Sequence, residues 1–430
     1  MVPFDRQEYS RPFATDQVLD TRLADAGLPA ESSTWRVLTI AAGWLLLLFV
    51  GAYLITPASI LPLVMSDLHI TEATAAALVS MPQVAATVIG IPVGLYLDRV
   101  ETRAAVPVAA AVLFVGSTGD WMAASRGTVS LLIASRLLAG VGMFVLWVVS
   151  INVASSSVPP TRRATATSVI ISGYPAGYAV GQLATPRVAA VVGWPGVFPV
   201  FGVAVLVTSI AFYVAVGRVS RSRASTEPMT LSGFTHVLRN RNVWSVVAVT
   251  ILGYSLYMVF NSWMPTYITR RFGVSLAESG AFVALFPAVG ILARPAGGWL
   301  SDTVCAQRRR PVFAVSFVGA TVLAAFMFHS TTIAVLVALL VLAGVFIQLQ
   351  IGLMYQSIRE FVDPRAAGTA VSLASVAGWL GSFVAPVVAG ELIAIAGTAA
   401  VLFLLAIGLG VAGTVVVWQM AESGESPAPA

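Results

Sequence analysis

The 430-residue chain contains no lysine, one cysteine (Cys305), three histidines and few charges of either sign. Each scarcity excludes something. Without lysine there can be no G-x-x-x-x-G-K-[ST] phosphate loop, so this chain cannot itself drive a process with ATP through that motif. A lone cysteine permits neither an intrachain disulfide nor a thiolate metal cluster. His69, His236 and His329 are scattered in or near expected loops and form no metal site or catalytic triad. Charged residues make up 10% of the chain, against roughly 25% in soluble domains. No nucleophile–base pair stands out, so an enzyme is not expected and no cofactor is implied.

What the chain has instead is apolar length. It is 58% hydrophobic, and stretches such as 37–63 and 314–328 carry no charge at all. A soluble protein of this size could not wet that much apolar surface. About 20 apolar residues cross the hydrocarbon of a bilayer, and the alternating pattern of a membrane barrel is absent. The expected class is therefore an all-α polytopic membrane protein in contact with lipid. Six spans are expected at about 37–62, 72–97, 105–124, 128–153, 164–187 and 195–216. Six more follow at about 243–268, 277–300, 311–329, 332–358, 367–390 and 397–419. Residues 1–36 and 420–430 form polar tails, and 217–242 is the one long polar interior stretch. It separates an N-terminal bundle (37–216) from a C-terminal bundle (243–419). The N-terminal tail has no apolar core or cleavage site of a signal peptide.

All 24 basic residues are arginine, and their placement is lopsided. Loops on the side of the termini carry Arg99, Arg103, Arg162, Arg163 and the linker arginines, then Arg308, Arg309, Arg310, Arg359 and Arg365. The opposite loops carry only Arg126, Arg187, Arg270 and Arg271. By the positive-inside rule both termini are expected in the cytoplasm of a prokaryotic plasma-membrane protein. The net charge of +5 is then an orientation signal, and no nucleic-acid partner is expected.

The two halves repeat each other at one ungapped offset of 204 residues. Gly94 maps to Gly298, Asp98 to Asp302, Tyr53 to Tyr257, Gly140 to Gly344, Gly177 to Gly381 and Gly193 to Gly397. In the stretch Gly94-Leu-Tyr-Leu-Asp98-Arg99, a glycine near a helix end lets a neighbour approach. Four residues later a carboxylate reaches water, where it can pair with an arginine or with exposed helix-end amides.

Six plus six spans in parallel repeat, the Gly94…Asp98-Arg99 stretch with its copy at Gly298…Asp302, and Arg136-Leu-Leu-Ala-Gly140-Val-Gly142 together resemble the major facilitator superfamily. The resemblance covers essentially the whole hydrophobic length. The first copy departs from the family pattern at Glu101 and Thr102. The resemblance implies two six-helix pseudo-symmetric bundles, alternating access to a central site, a small-molecule substrate with a proton as coupling ion, and a monomer. It also implies a cytoplasmic gate built from Gly94, Asp98, Arg99, Gly298 and Asp302. The Gly-Pro-x-x-Gly-Gly signature of drug/proton antiporters is missing from Gly173-Tyr-Pro-Ala-Gly177-Tyr-Ala-Val-Gly181, which lowers an efflux reading. A nutrient-sensing receptor is weakened by the short C-terminal tail.

Several membrane-embedded polar residues are candidates for the site. Arg136 lies about 12 Å into span four at 1.5 Å per residue, and a buried arginine needs a named partner. Asp120, at similar depth in span three, is that partner, either as a static clamp or as a pair that breaks when an anion or proton arrives. Arg294, one turn before Gly298, either binds an anion or joins the gate, and its nearness to the helix end favours the gate. Tyr53, Tyr257, Asn261, Gln348 and Gln350 are mid-depth polar groups on helices that line the cavity if the resemblance holds. Gln348 and Gln350 are about 200° apart on a helix, so both cannot face one cavity. Trp147 is either a cavity wall or an interfacial anchor, and Trp263 is expected to be an anchor. Sparse intramembrane charge that tilts basic favours a small organic anion as substrate. Efflux of amphipathic compounds is the alternative, and would need Asp120 or Glu391 as its essential acid.

Overall fold

The computed structural model describes residues 30–97, 102–158, 163–217, 237–362, 367–397 and 400–421, and every long element among them is a helix. In chain order these are α1 (Ala30–Ser59), α2 (Leu61–Leu68), α3 (Glu72–Leu97), α4 (Thr102–Ser125), α5 (Val129–Ser156) and α6 (Arg163–Val216). The second half holds α7 (Arg241–Phe272), α8 (Leu276–Ala288), α9 (Gly290–Trp299), α10 (Arg310–Phe328), α11 (Ile333–Arg359), α12 (Ala367–Ala396) and α13 (Val401–Gln419). Eleven helical stretches are long and apolar enough to cross a membrane, and the one within α6 is 51 residues long. That is enough for two crossings, and α6 turns back at Gly193, whose φ of 75° and ψ of 159° are not helical. Only glycine takes that backbone position without strain. The described residues therefore make twelve crossings, as the sequence predicts, with spans five and six joined by a kink rather than by a loop.

The helices form the two six-helix bundles expected from the repeat. Span one packs along the first arm of α6, and α4 packs on α5. Their second-half counterparts, α7 with α12 and α10 with α11, do the same. The internal symmetry reaches individual contacts. A Cβ on Gly140 would run into the backbone of Pro82, and one on Gly344 into the backbone carbonyl of Phe286. Both members of the first contact map onto the second by the 204-residue offset. A Cβ on Gly177 would overlap the Leu48 carbonyl, and one on Gly381 the Ile251 carbonyl, one residue off the exact offset. Such small-residue contacts let helix backbones meet closely where lipid supplies no hydrophobic drive.

The halves touch mainly through α3 against α12 and α8 against α6. On the side away from the start of α1, Gln182 of α6 donates to the Asn261 carbonyl of α7 at 2.8 Å. Nearby, Arg270 at the end of α7 pairs with Glu72 at the start of α3 at 3.3 Å, half-exposed.

Two expectations change, one about a residue and one about a span. Trp263 is not at an interface: it is fully buried and its indole donates to the Pro386 carbonyl at 3.0 Å. Span eight is not one continuous helix. It breaks at Val289, between α8 and α9, and finishes in a five-residue π-turn, Leu300–Val304.

Candidate functional site

Two buried arginines, one in each half, gather most of the candidate polar residues around them. Arg136 of α5 is 0% exposed and sits inside the N-terminal bundle. Its Nη1 lies 3.7 Å from the Asp120 carboxylate of α4. Its Nε donates to the Leu78 carbonyl of α3 at 3.2 Å and its Nη2 to the Leu54 carbonyl of α1 at 3.0 Å. Asp120 in turn accepts from the Tyr53 hydroxyl of α1 and, at 2.6 Å, from the Ser135 hydroxyl. The guanidinium also lies 5.1 Å from the Tyr53 ring centroid. The sequence-level pairing of Arg136 with Asp120 is what the structure contains. One cluster ties four helices together, and neither it nor Tyr53 lines the central cavity.

That cavity lies between the bundles and is nearly closed in this state, with about 20 Å³ of room for a water-sized guest. Arg294 of α9 lines it, only 8% exposed. None of the ion pairs among the described residues includes Arg294. Its Nε donates instead to a neutral acceptor, Gln348 Oε1 of α11, at 3.2 Å. Its Cζ lies 5.5 Å from the centroid of the Tyr257 ring, within reach of a cation–π contact. Depth along the chain favoured a gate role reached by snorkelling. The structure places the guanidinium in the cavity, because Gln348 and Tyr257 hold it there.

The break in span eight explains how Gln348 is itself held. Helix ends leave carbonyls without intrahelical donors, and Gln348 Nε2 donates to the carbonyls of Phe286 and Pro287 at 3.0 and 3.2 Å. A single carboxamide thus caps α8 and orients Arg294. Gln350 faces elsewhere, as its 200° offset requires. Fully buried against Gly253 of α7, it has no hydrogen-bond partner among the described residues for either amide atom. Asn261 turns back along its own helix, donating to the Tyr257 carbonyl at 2.8 Å, while its Oδ1 is unpartnered among the described residues. Tyr257 lines the cavity, and its buried hydroxyl has no partner there either. Burying a hydroxyl without a partner is unfavourable by about 1–3 kcal/mol.

Most of the remaining wall is aromatic, with Met258, Ser375, Gly378 and Ser382 filling in, a feature the sequence reading missed except for Trp147. Trp147 of α5, Tyr174 and Tyr178 of α6, Tyr254 of α7, Tyr355 of α11 and Trp379 of α12 all line it. Tyr174 and Tyr178 lie within the glycine-rich stretch of span five, four residues apart and hence on one helix face. That spacing was the available signal.

Of the gate residues, Asp98 and Arg99 lie outside the described residues, and Gly94 lies in the last turn of α3. Gly298 faces open space. Asp302 pairs with Arg309, which also reaches Glu360 at 2.9 Å and the Ser301 hydroxyl at 2.7 Å. Burial alone would lower the Arg309 pKa, but the Glu360 and Asp302 carboxylates leave it raised. This knot joins the ends of spans eight, nine and ten. No metal-holding group of three or more His, Cys, Asp or Glu occurs among the described residues.

Comparison with known proteins gives concordant matches. The family model described as Major Facilitator Superfamily matches residues 42–309, well over half of the chain. A second model, the BT1 family, matches residues 253–429. A probable nitrate/nitrite transporter of Mycobacterium tuberculosis is 27% identical over 330 residues, covering 75% of this chain and 81% of its own. A hexuronate transporter of Bacillus subtilis is 26% identical over 380 residues, covering 83% and 87%. Among solved structures, a bacterial homologue of the human lysosomal transporter Spinster superposes with a TM-score of 0.71 at 16% identity, covering 90% of this chain and 94% of that one.

Proposed function

The chain belongs to the major facilitator superfamily, and from that premise we propose that it is a secondary transporter of a small organic anion. Like the family, it is not an enzyme. Its substrate binds between the two bundles, 37–216 and 243–419, which rock about the central cavity and expose it to either side in turn. A proton moves with the anion as coupling ion, and the working unit is a monomer with both termini in the cytoplasm.

The observation that carries this reading is the Arg294 guanidinium, buried in the cavity with a neutral amide as its hydrogen-bond acceptor and no ion-pair partner among the described residues. A charge taken out of water is unfavourable unless paired. An arriving anion completes the pair, accepting from the guanidinium fork and from the Tyr257 hydroxyl. Efflux of cationic compounds would call for a carboxylate facing the cavity. Asp120 is committed to Arg136, and Glu391 is on the exposed surface near the end of α12. The relatives, a probable nitrate/nitrite transporter and a hexuronate transporter, support an anion as well.

The test is uptake of labelled nitrate, glucuronate and a panel of monocarboxylates into proteoliposomes, with and without an imposed proton gradient. Arg294→Ala should lower uptake of the transported anion by about 100-fold, the effect of about 2.7 kcal/mol on binding. Arg136→Lys, which keeps the charge inside the other cluster, should retain most of it. Wild-type uptake by Arg294→Ala, or movement of cations alone, would overturn the proposal.

A further inference from the structure

We infer that the substrate is a monocarboxylate with a flat aromatic body, an inference that rests on Arg294 being the anion-binding cation. The charge side of the cavity is sized for one carboxylate. It offers one guanidinium, and beside it the Tyr257 hydroxyl is unpartnered among the described residues. A dianion would leave a charge unpaired.

The opposite wall defines the body. Trp147, Tyr174 and Trp379 meet in a mutual corner with ring centroids 5.1, 6.1 and 6.1 Å apart and interplanar angles of 70°, 85° and 85°. The three rings stand nearly at right angles, so when the bundles part a flat guest can align with any one of them. Lying parallel to one ring, it presents its edge to the faces of the others, and these are the two geometries aromatic pairs prefer. Tyr178 continues the wall from Tyr174 to Tyr257, with centroid distances of 5.0 and 5.7 Å.

The same wall is poor for the other anions. Ring faces carry the negative end of the aromatic quadrupole, so a compact inorganic anion finds one cation on one side and repelling faces on the rest. A sugar acid brings several hydroxyls, each needing a partner once buried. The lining has no carboxylate or carboxamide among the described residues. Several of its hydroxyls are already engaged, Tyr254 with Tyr355 at 3.3 Å and Tyr174 with Tyr178 at 3.4 Å.

The experiment is equilibrium titration of the purified full-length protein in lipid nanodiscs with four probes: benzoate, its saturated counterpart cyclohexanecarboxylate, nitrate and glucuronate. Benzoate should bind at least about tenfold more tightly than each of the others, the product of two ring contacts worth a few-fold apiece. Trp379→Leu should remove most of that preference and leave cyclohexanecarboxylate within about threefold of its wild-type affinity, while Trp379→Phe keeps the preference. A thermal melt of each variant checks the fold, and Trp147→Leu stands in if Trp379→Leu does not fold. Arg294→Ala should abolish binding of both ring acids. Equal affinity for benzoate and cyclohexanecarboxylate, tighter binding of nitrate or glucuronate, or no binding of any ring acid overturns the inference. If the tighter nitrate or glucuronate binding still depends on Arg294, only the ring class falls. If benzoate binding survives Arg294→Ala, the anion-site reading falls instead.

Discussion

Arg136 and Arg294 are the same residue type, each buried in the membrane-spanning part of one half, and their surroundings differ in every respect that matters. Arg136 faces a carboxylate and two backbone carbonyls, and its charge is consumed inside one bundle. Arg294 faces a carboxamide and the ring of Tyr257, and its charge is left to the cavity. The repeat does not pair them. At the 204-residue offset, Arg136 corresponds to Leu340 and Arg294 to Gly90. The comparison teaches that a buried cation's acceptors set what it has left to offer: an acid uses up the charge of Arg136, and a neutral carboxamide leaves that of Arg294 unpaired among the described residues.

The strongest way to break the contrast is to give Arg136 the isolation of Arg294. Asp120→Ala leaves a fully buried guanidinium uncompensated and should destabilise the protein by about 3–5 kcal/mol. Thermal melting in detergent would register it, and the pair Asp120→Leu with Arg136→Met should recover much of the loss. If the single variant melted like wild type, the clamp would be ornamental. A smaller effect sharpens the other side. Gln348→Leu keeps the Arg294 charge but removes its tether, so anion affinity should drop about tenfold, or 1.4 kcal/mol, with the fold retained. Unchanged affinity would mean that the carboxamide only caps α8. The smallest effect concerns the half-exposed Arg270–Glu72 pair that joins the bundles. A double-mutant cycle with Glu72→Gln and Arg270→Gln should show a coupling of about 0.5 kcal/mol, fading at high salt. Coupling several times larger would mark a true latch between the halves.

Much of this fold can be read in the chain, since span count follows from apolar length and the two-bundle plan from the repeat. The Asp120–Arg136 pair was legible for a similar reason, because two charges at matching depth in adjacent spans have few other partners. The part that was not legible depends on what is absent in three dimensions. Nothing in the local sequence of Arg294 says that no carboxylate will reach it, and distance from a helix end pointed to the wrong neighbourhood. Tyr53 went with Tyr257 by symmetry, yet its hydroxyl is committed to Asp120 while that of Tyr257 has no partner among the described residues. Trp263 looked like an anchor because it falls near a span end, and only the packing of α12 shows its indole bound to Pro386.

The close crossing of spans eight and ten gives the cavity a remote control. A Cβ on Gly290 would occupy the place of the Gln348 carboxamide, and one on Gly352 would strike the Arg294 carbonyl. Two hydrogen atoms thus hold the door for the amide that aims the guanidinium. A drift to alanine at either position would detune recognition while leaving every substrate-facing side chain unchanged, so loss of activity in this chain need not begin where the substrate sits.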